Sequence, residues 1–173
     1  MKDKIKSLSE KYFPRVVELS RQIHANPELS WEETETSKLV AHELMKCGIE
    51  VQTKVAKNGV VGILKGKNPN SKCIALRADM DALPIMEENQ IDYCSKNSGV
   101  MHACGHDVHT SNLLGVAMIL SELKNEIEEV YKMVYDKKVL PSMRSLQFAG
   151  KPAEINNARM FNCSFLPVDD FRS

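Results

Sequence analysis

The chain has 173 residues, with 23 Lys and Arg balanced by 23 Asp and Glu, 43% hydrophobic and 27% charged. Such values belong to an ordinary globular protein large enough for one cored domain, and the even charge balance excludes the basic surface that a nucleic-acid partner calls for. The charged opening Met1 to Glu10 lacks a secretory apolar stretch and no apolar run reaches the roughly 20 residues that cross a bilayer, so a cytoplasmic protein with no membrane partner is expected, its five scattered cysteines reduced.

In chain order, apolar residues at Phe13, Val16, Val17, Leu19 and Ile23 predict an amphipathic helix over 13–25, with Pro14 tolerated near its start. Asn26-Pro27-Glu28-Leu29-Ser30 breaks it, and helical spacing resumes from Glu32 to Cys47, stopped by Gly48. Ile49 to Val55 alternates apolar and polar, Gly59 to Leu64 is short and β-branched, and Lys65 to Ser71 reads as a turn, which together predict paired strands. Cys73 to Leu76 is a continuous apolar run, the pattern of a covered strand, and it leads into Arg77-Ala78-Asp79-Met80-Asp81-Ala82-Leu83-Pro84. His106 and Asp107 open a further helix over Val108 to Leu123. Cys47 and Cys73 read as small core residues.

The chemistry concentrates at Met101-His102-Ala103-Cys104-Gly105-His106-Asp107-Val108-His109-Thr110. Gly105 allows a sharp turn, so Cys104 and His106 can converge on one ion as thiolate and neutral imidazole. The competing reading makes Cys104 a small buried residue and His106 a helix cap. Two donors are too few for a stable site, and others must come from elsewhere in the fold or from water. Asp79 and Asp81 are alternate residues of an extended segment, so both carboxylates can face one crevice at the carboxyl end of a strand, where open α/β sheets bind ligands. His24 reads as structural or substrate-adjacent, and His102 and His109 as polar supporting groups.

Three motifs in order, His24-Ala25-Asn26-Pro27-Glu28-Leu29-Ser30, Leu76 to Pro84, and Met101 to Asp107, give the chain a resemblance to a known family. Residues 1 to about 127 resemble the amidohydrolases that cleave N-acyl amino acids, the hippurate hydrolase and indoleacetyl-amino acid hydrolase group within the dinuclear metallo-aminoacylases and carboxypeptidases. The resemblance implies an α/β catalytic domain, a mixed sheet flanked by helices. It implies Cys104 and His106 as metal ligands and Asp81 beside the site, orienting it. The cofactor implied is one or two divalent ions, of zinc, manganese, cobalt or nickel, and the partner a small N-acyl amino acid; a homo-oligomer is compatible with it.

In that family a general-base glutamate stands in a Glu-Glu pair well beyond the Cys-Gly-His turn, and further histidine ligands follow. Glu128-Glu129 comes too early for that pair and continues the charged run Glu122, Lys124, Glu126, so it reads as a solvated face; no histidine follows His109. From about Glu129 the text changes character. Val139 to Gly150 and Asn156 to Ser164 resemble the ribonucleotide reductase large subunit, with Cys163 matching one half of its redox pair. The expectation is therefore an incomplete dinuclear metallo-exopeptidase-like domain over 1–127 and an irregular reductase-like tail over 128–173. Functionally this predicts a truncated, inactive form of a metal-dependent N-acyl amino acid hydrolase; the alternative is a non-catalytic fusion product.

Overall fold

The computed structural model describes residues 1–68, 70 and 72–136, and the backbone of 159–162. In chain order the elements are α1 (Lys2–Ala25), α2 (Thr34–Lys46), β1 (Glu50–Val55), β2 (Gly59–Lys65), β3 (Cys73–Asp79), α3 (His106–Leu123), β4 (Val130–Asp136) and β5 (Arg159–Asn162). The strands form one mixed sheet in the order β1-β2-β4-β3-β5. β1, β2 and β4 pair antiparallel, Glu50 opposite Ile63 and Val61 opposite Val134, whereas β3 runs parallel to β4, Leu76 opposite Met133. Parallel neighbours need a crossover, and α3 supplies it between β3 and β4.

The core is built where α2 and α3 cover the sheet and α1 packs against α3. Leu19 of α1, Val40 and Leu44 of α2, Val60 of β2, Leu113 and Leu114 of α3 and Met133 and Tyr135 of β4 are each at most 1% exposed and form one cluster. The expected α/β class, a mixed sheet flanked by helices, is what the chain adopts. Among the described residues, no helix is long and apolar enough to cross a membrane.

Two elements and two cysteines depart from expectation. Helix α1 starts at Lys2 rather than Phe13, with Pro14 inside it. Its first half keeps Leu8 and Tyr12 partly buried over a charged outer face, and Pro14 is exposed, so the hydrogen bond it cannot make is lost on the wet side. Strand β4 was hidden by the charged run before it, although Val130, Tyr131, Val134 and Tyr135 are β-branched and aromatic. Cys47 and Cys73 are half-buried, at the margin of the core rather than within it.

The first motif is a splice. The Glu28 carboxylate accepts the backbone N–H groups of Glu35 at 3.0 Å and Thr36 at 2.8 Å, capping α2 from a distance. The Glu28 carbonyl accepts the Ala82 N–H at 2.8 Å, and Leu29 bridges Ala82. The turn after α1 is thereby fixed to the segment leaving β3.

Candidate metal centre at the carboxyl end of strand β3

Strand β3 delivers Asp79 at its last position and Asp81 just beyond, both buried. The strand's exit is held by the Met80 N–H, which donates to the Asp136 carbonyl at 2.8 Å, and by Leu83 and Met101, which exchange two bonds of 2.9 and 3.0 Å. Gly105, at φ 73°, makes the left-handed turn that launches α3. One turn of that helix separates His106 from His109, so their rings share a face, 5.4 Å apart. Thr110 clamps helix to strand by donating its hydroxyl to the Asp79 carbonyl at 2.8 Å.

The result is a group of three donors, Asp79, His106 and His109, whose ligand atoms lie within 4.8 Å of one another. His106 Nδ1 faces the Asp81 carbonyl at 2.8 Å and its carboxylate at 3.1 Å. A carbonyl only accepts, so Nδ1 carries the hydrogen, and in the neutral ring the lone pair is then on Nε2. An imidazole whose other nitrogen is held by a carbonyl or carboxylate is the arrangement in which histidine ligates metals. Burial opposes charge on His106, but Asp81 outweighs it and the pKa is raised. Asp79 is steered by Arg77, which ion-pairs with it at 2.7 Å and with Asp136 at 2.6 Å. Burial pushes the Asp136 carboxyl up despite that guanidinium.

One carboxylate and two imidazoles suit zinc and the later divalent ions. The expected residues distribute unevenly about this group. Asp81 and His106 meet directly. Cys104, on the launching turn, is exposed, and the group of three does not include it. Asp79 and His109 belong to it, and the i, i+3 relation of the two histidines was the signal for the second. His102 is 4% exposed, with no hydrogen-bond partner for either ring nitrogen among the described residues. Burial lowers its pKa to about 4. His24 lies between Asp107 and Glu87, a connection across three segments that no local sequence pattern announces. Cys163 lies outside the described residues.

Residues 75–134, which carry β3, the donor group and most of β4, match peptidase family M20/M25/M40. The match spans 60 of the chain's 173 residues and includes Asp79, His106 and His109. An N-acyl-L-amino acid amidohydrolase of Geobacillus stearothermophilus is 42% identical over 78% of this chain and 36% of its own length. An IAA-amino acid hydrolase of Arabidopsis thaliana is 47% identical over 73% of this chain and 28% of its own length. The chain thus spans about a third of the curated relatives it matches. Among solved structures, a Bacillus subtilis protein described as a dinuclear metal binding peptidase of the M20 family superposes with a TM-score of 0.69 at 37% identity, over 73% of this chain and 35% of that one. A Staphylococcus aureus protein assigned as an aminohydrolase gives 0.76 at 36% identity, over 82% and 38%. The reductase resemblance of residues 129–173 gains no support from these relatives.

Proposed function

We propose that the chain carries part of the catalytic domain of a metal-dependent amidohydrolase that cleaves the amide bond of N-acyl amino acids. The observation that carries this reading is the convergence of Asp79, His106 and His109, with Asp81 fixing the ring of His106. The M20 match and relatives named as amidohydrolases of acylated amino acids favour the substrate class. A divalent ion bound at such a group would supply Lewis acidity, which polarises an amide carbonyl and lowers the pKa of water so that hydroxide, the nucleophile, is available near neutral pH. Within this reading Asp79, His106 and His109 would donate to the ion, and Cys104, on the turn that launches α3, is the further donor that the family resemblance adds. Asp81 holds the hydrogen on His106 Nδ1, and Arg77 holds Asp79. Zinc, manganese, cobalt and nickel all suit mixed carboxylate and imidazole donors.

The test combines metal content with turnover. Purified chain is loaded with zinc, manganese or cobalt, its bound metal is counted, and hydrolysis of a panel of N-acyl amino acids is followed. His106→Ala should lose most of the bound metal, and Cys104→Ala should lower the stoichiometry. Metal content unchanged in His106→Ala would sink the site, and unchanged content in Cys104→Ala would remove that residue from it. Metal bound without turnover of any substrate would retain the centre and reject catalysis by this chain.

The change of text after Glu129 favours a second reading for the tail, that it descends from a different gene. Its boundary then falls after β4, since the family match runs to residue 134. Sequencing the source DNA across codons 120 to 140 tests it: one uninterrupted gene whose relatives continue through the tail would overturn the fusion.

A further inference from the structure

Residues 84–100 form one connection without helix or strand, longer than the roughly 12–15 residues beyond which such loops in compact domains are usually functional. Its two ends are closed by the Leu83–Met101 bridge, so the segment leaves and re-enters at the carboxyl end of β3. Between those ends it is tied to the last turn of α1. The Lys96 N–H donates to the Ala25 carbonyl at 3.0 Å, and the Asn97 side-chain amide to the Pro27 carbonyl at 2.7 Å. Tyr93 stands edge-on to the His24 ring at 5.6 Å and under the Arg21 guanidinium at 4.8 Å.

His24 is the centre of these ties. Its Nδ1 donates to Asp107 Oδ2 at 2.7 Å, and its Nε2 to Glu87 Oε1 at 3.0 Å. The other Glu87 oxygen accepts the Ser95 N–H at 2.6 Å, so the carboxylate that meets His24 also folds the segment on itself. The side chains of Glu87 and Asp107 are 4% and 5% exposed and that of His24 12%. Both neighbours of the ring are carboxylates, which only accept, so both ring nitrogens carry hydrogen and the ring is a cation. Two carboxylates converging on one spot repel each other, and a cation between them relieves that repulsion, the more so because their side chains are largely shielded from solvent.

We propose that His24 is a positioning residue, a latch that seats residues 84–100 beside the Asp79, His106 and His109 group by joining Glu87 on that segment to Asp107 at the start of α3. Asp107 follows His106 directly, so the latch connects the segment to the helix turn that presents a donor. Without it Glu87 and Asp107 face each other unshielded and the segment swings away from α1 while the sheet stays intact.

Amide hydrogen exchange of the full chain without added metal tests this, so the result stands apart from any failure of the hydrolytic reading. In His24→Gln and in Glu87→Ala, amides of 84–100 should exchange at least tenfold faster than in the parent, with β2 and β4 unchanged. The double variant should be no faster than the faster single one, because both remove the same latch. Unchanged exchange in the segment overturns the proposal, as do multiplicative effects in the double variant. So does acceleration that spreads equally through β2 and β4, the mark of a general structural defect. Should His24→Gln fail to fold, Glu87→Gln, which keeps an oxygen for the Ser95 N–H and removes the charge facing His24, decides by the same comparison of segment with sheet.

Discussion

His24 and His102 have ring centres 6.4 Å apart, yet their surroundings push them in opposite directions. The Asp107 hydrogen bond, with Glu87 behind it and burial working against both, raises His24 from 6.5 to about 9. Burial, with no hydrogen bond to compensate, lowers His102 from 6.5 to about 4. A raised histidine contributes stability fully present below pH 6.5 and lost as pH rises through about 9; a lowered one contributes stability present above 6.5 and lost as pH falls toward 4. Stability should therefore peak near neutrality and decline on both sides. Denaturant unfolding from pH 4.5 to 9.5 checks it: His24→Gln should flatten the alkaline limb, His102→Gln the part of the acid limb between 4.5 and 6.5. An alkaline limb unchanged in His24→Gln would refute the assignment. At this scale the sequence was partly readable. Asp81 and His106 each stood in a short motif of its own, 25 residues apart, and they meet as neighbours, but the partners of His24 are 63 and 83 residues away, and only the fold brings them within reach.

Helices α1 and α3 meet at Gly115, where an added Cβ would stand 2.6 Å from Cγ2 of Val16. That atom is a methyl on a β-branched side chain with little rotamer freedom, so it cannot swing clear without moving the helix. Alanine at this position gains about 1 kcal/mol of helix propensity, but overpacking of this kind costs roughly 1–3 kcal/mol. Gly115→Ala should thus be destabilising by about 1 kcal/mol, and Val16→Ala combined with it should recover most of the loss, because the paired change restores the gap. Thermal unfolding of the single and double variants measures the coupling; additive losses would show that the two helices do not meet there. The apolar stripe from Val16 to Ile23 was legible because a buried helix face repeats with the helical period. The extension of α1 to Lys2 was not, since Pro14 marks a boundary in isolation and is tolerated here only because its own face is wet. β4 was missed because the charged run before it read as a solvated face and residues from 128 onward were placed in an irregular tail, whereas the chain turns back through the sheet after α3.

At the scale of the molecule, the donor group is assembled from pieces far apart in the chain, and each is fixed by packing rather than by its neighbours in sequence. Asp79 arrives on β3 and the two histidines on α3, with Glu28 of the first motif holding the exit of β3 through Ala82. An ion bridging these elements binds the folded chain and has no comparable site in the unfolded one. Binding must then stabilise the fold by mass action, by about 2.7 kcal/mol when free metal exceeds the dissociation constant a hundredfold. Adding zinc or cobalt should raise the unfolding midpoint progressively with concentration, and a chelator should return it to the starting value. His106→Ala should respond little to the ion. The joint behaviour is diagnostic. A rise that persists in His106→Ala would place the ion elsewhere, while a midpoint indifferent to metal in the parent would mean that β3 and α3 bring these donors together without holding an ion between them.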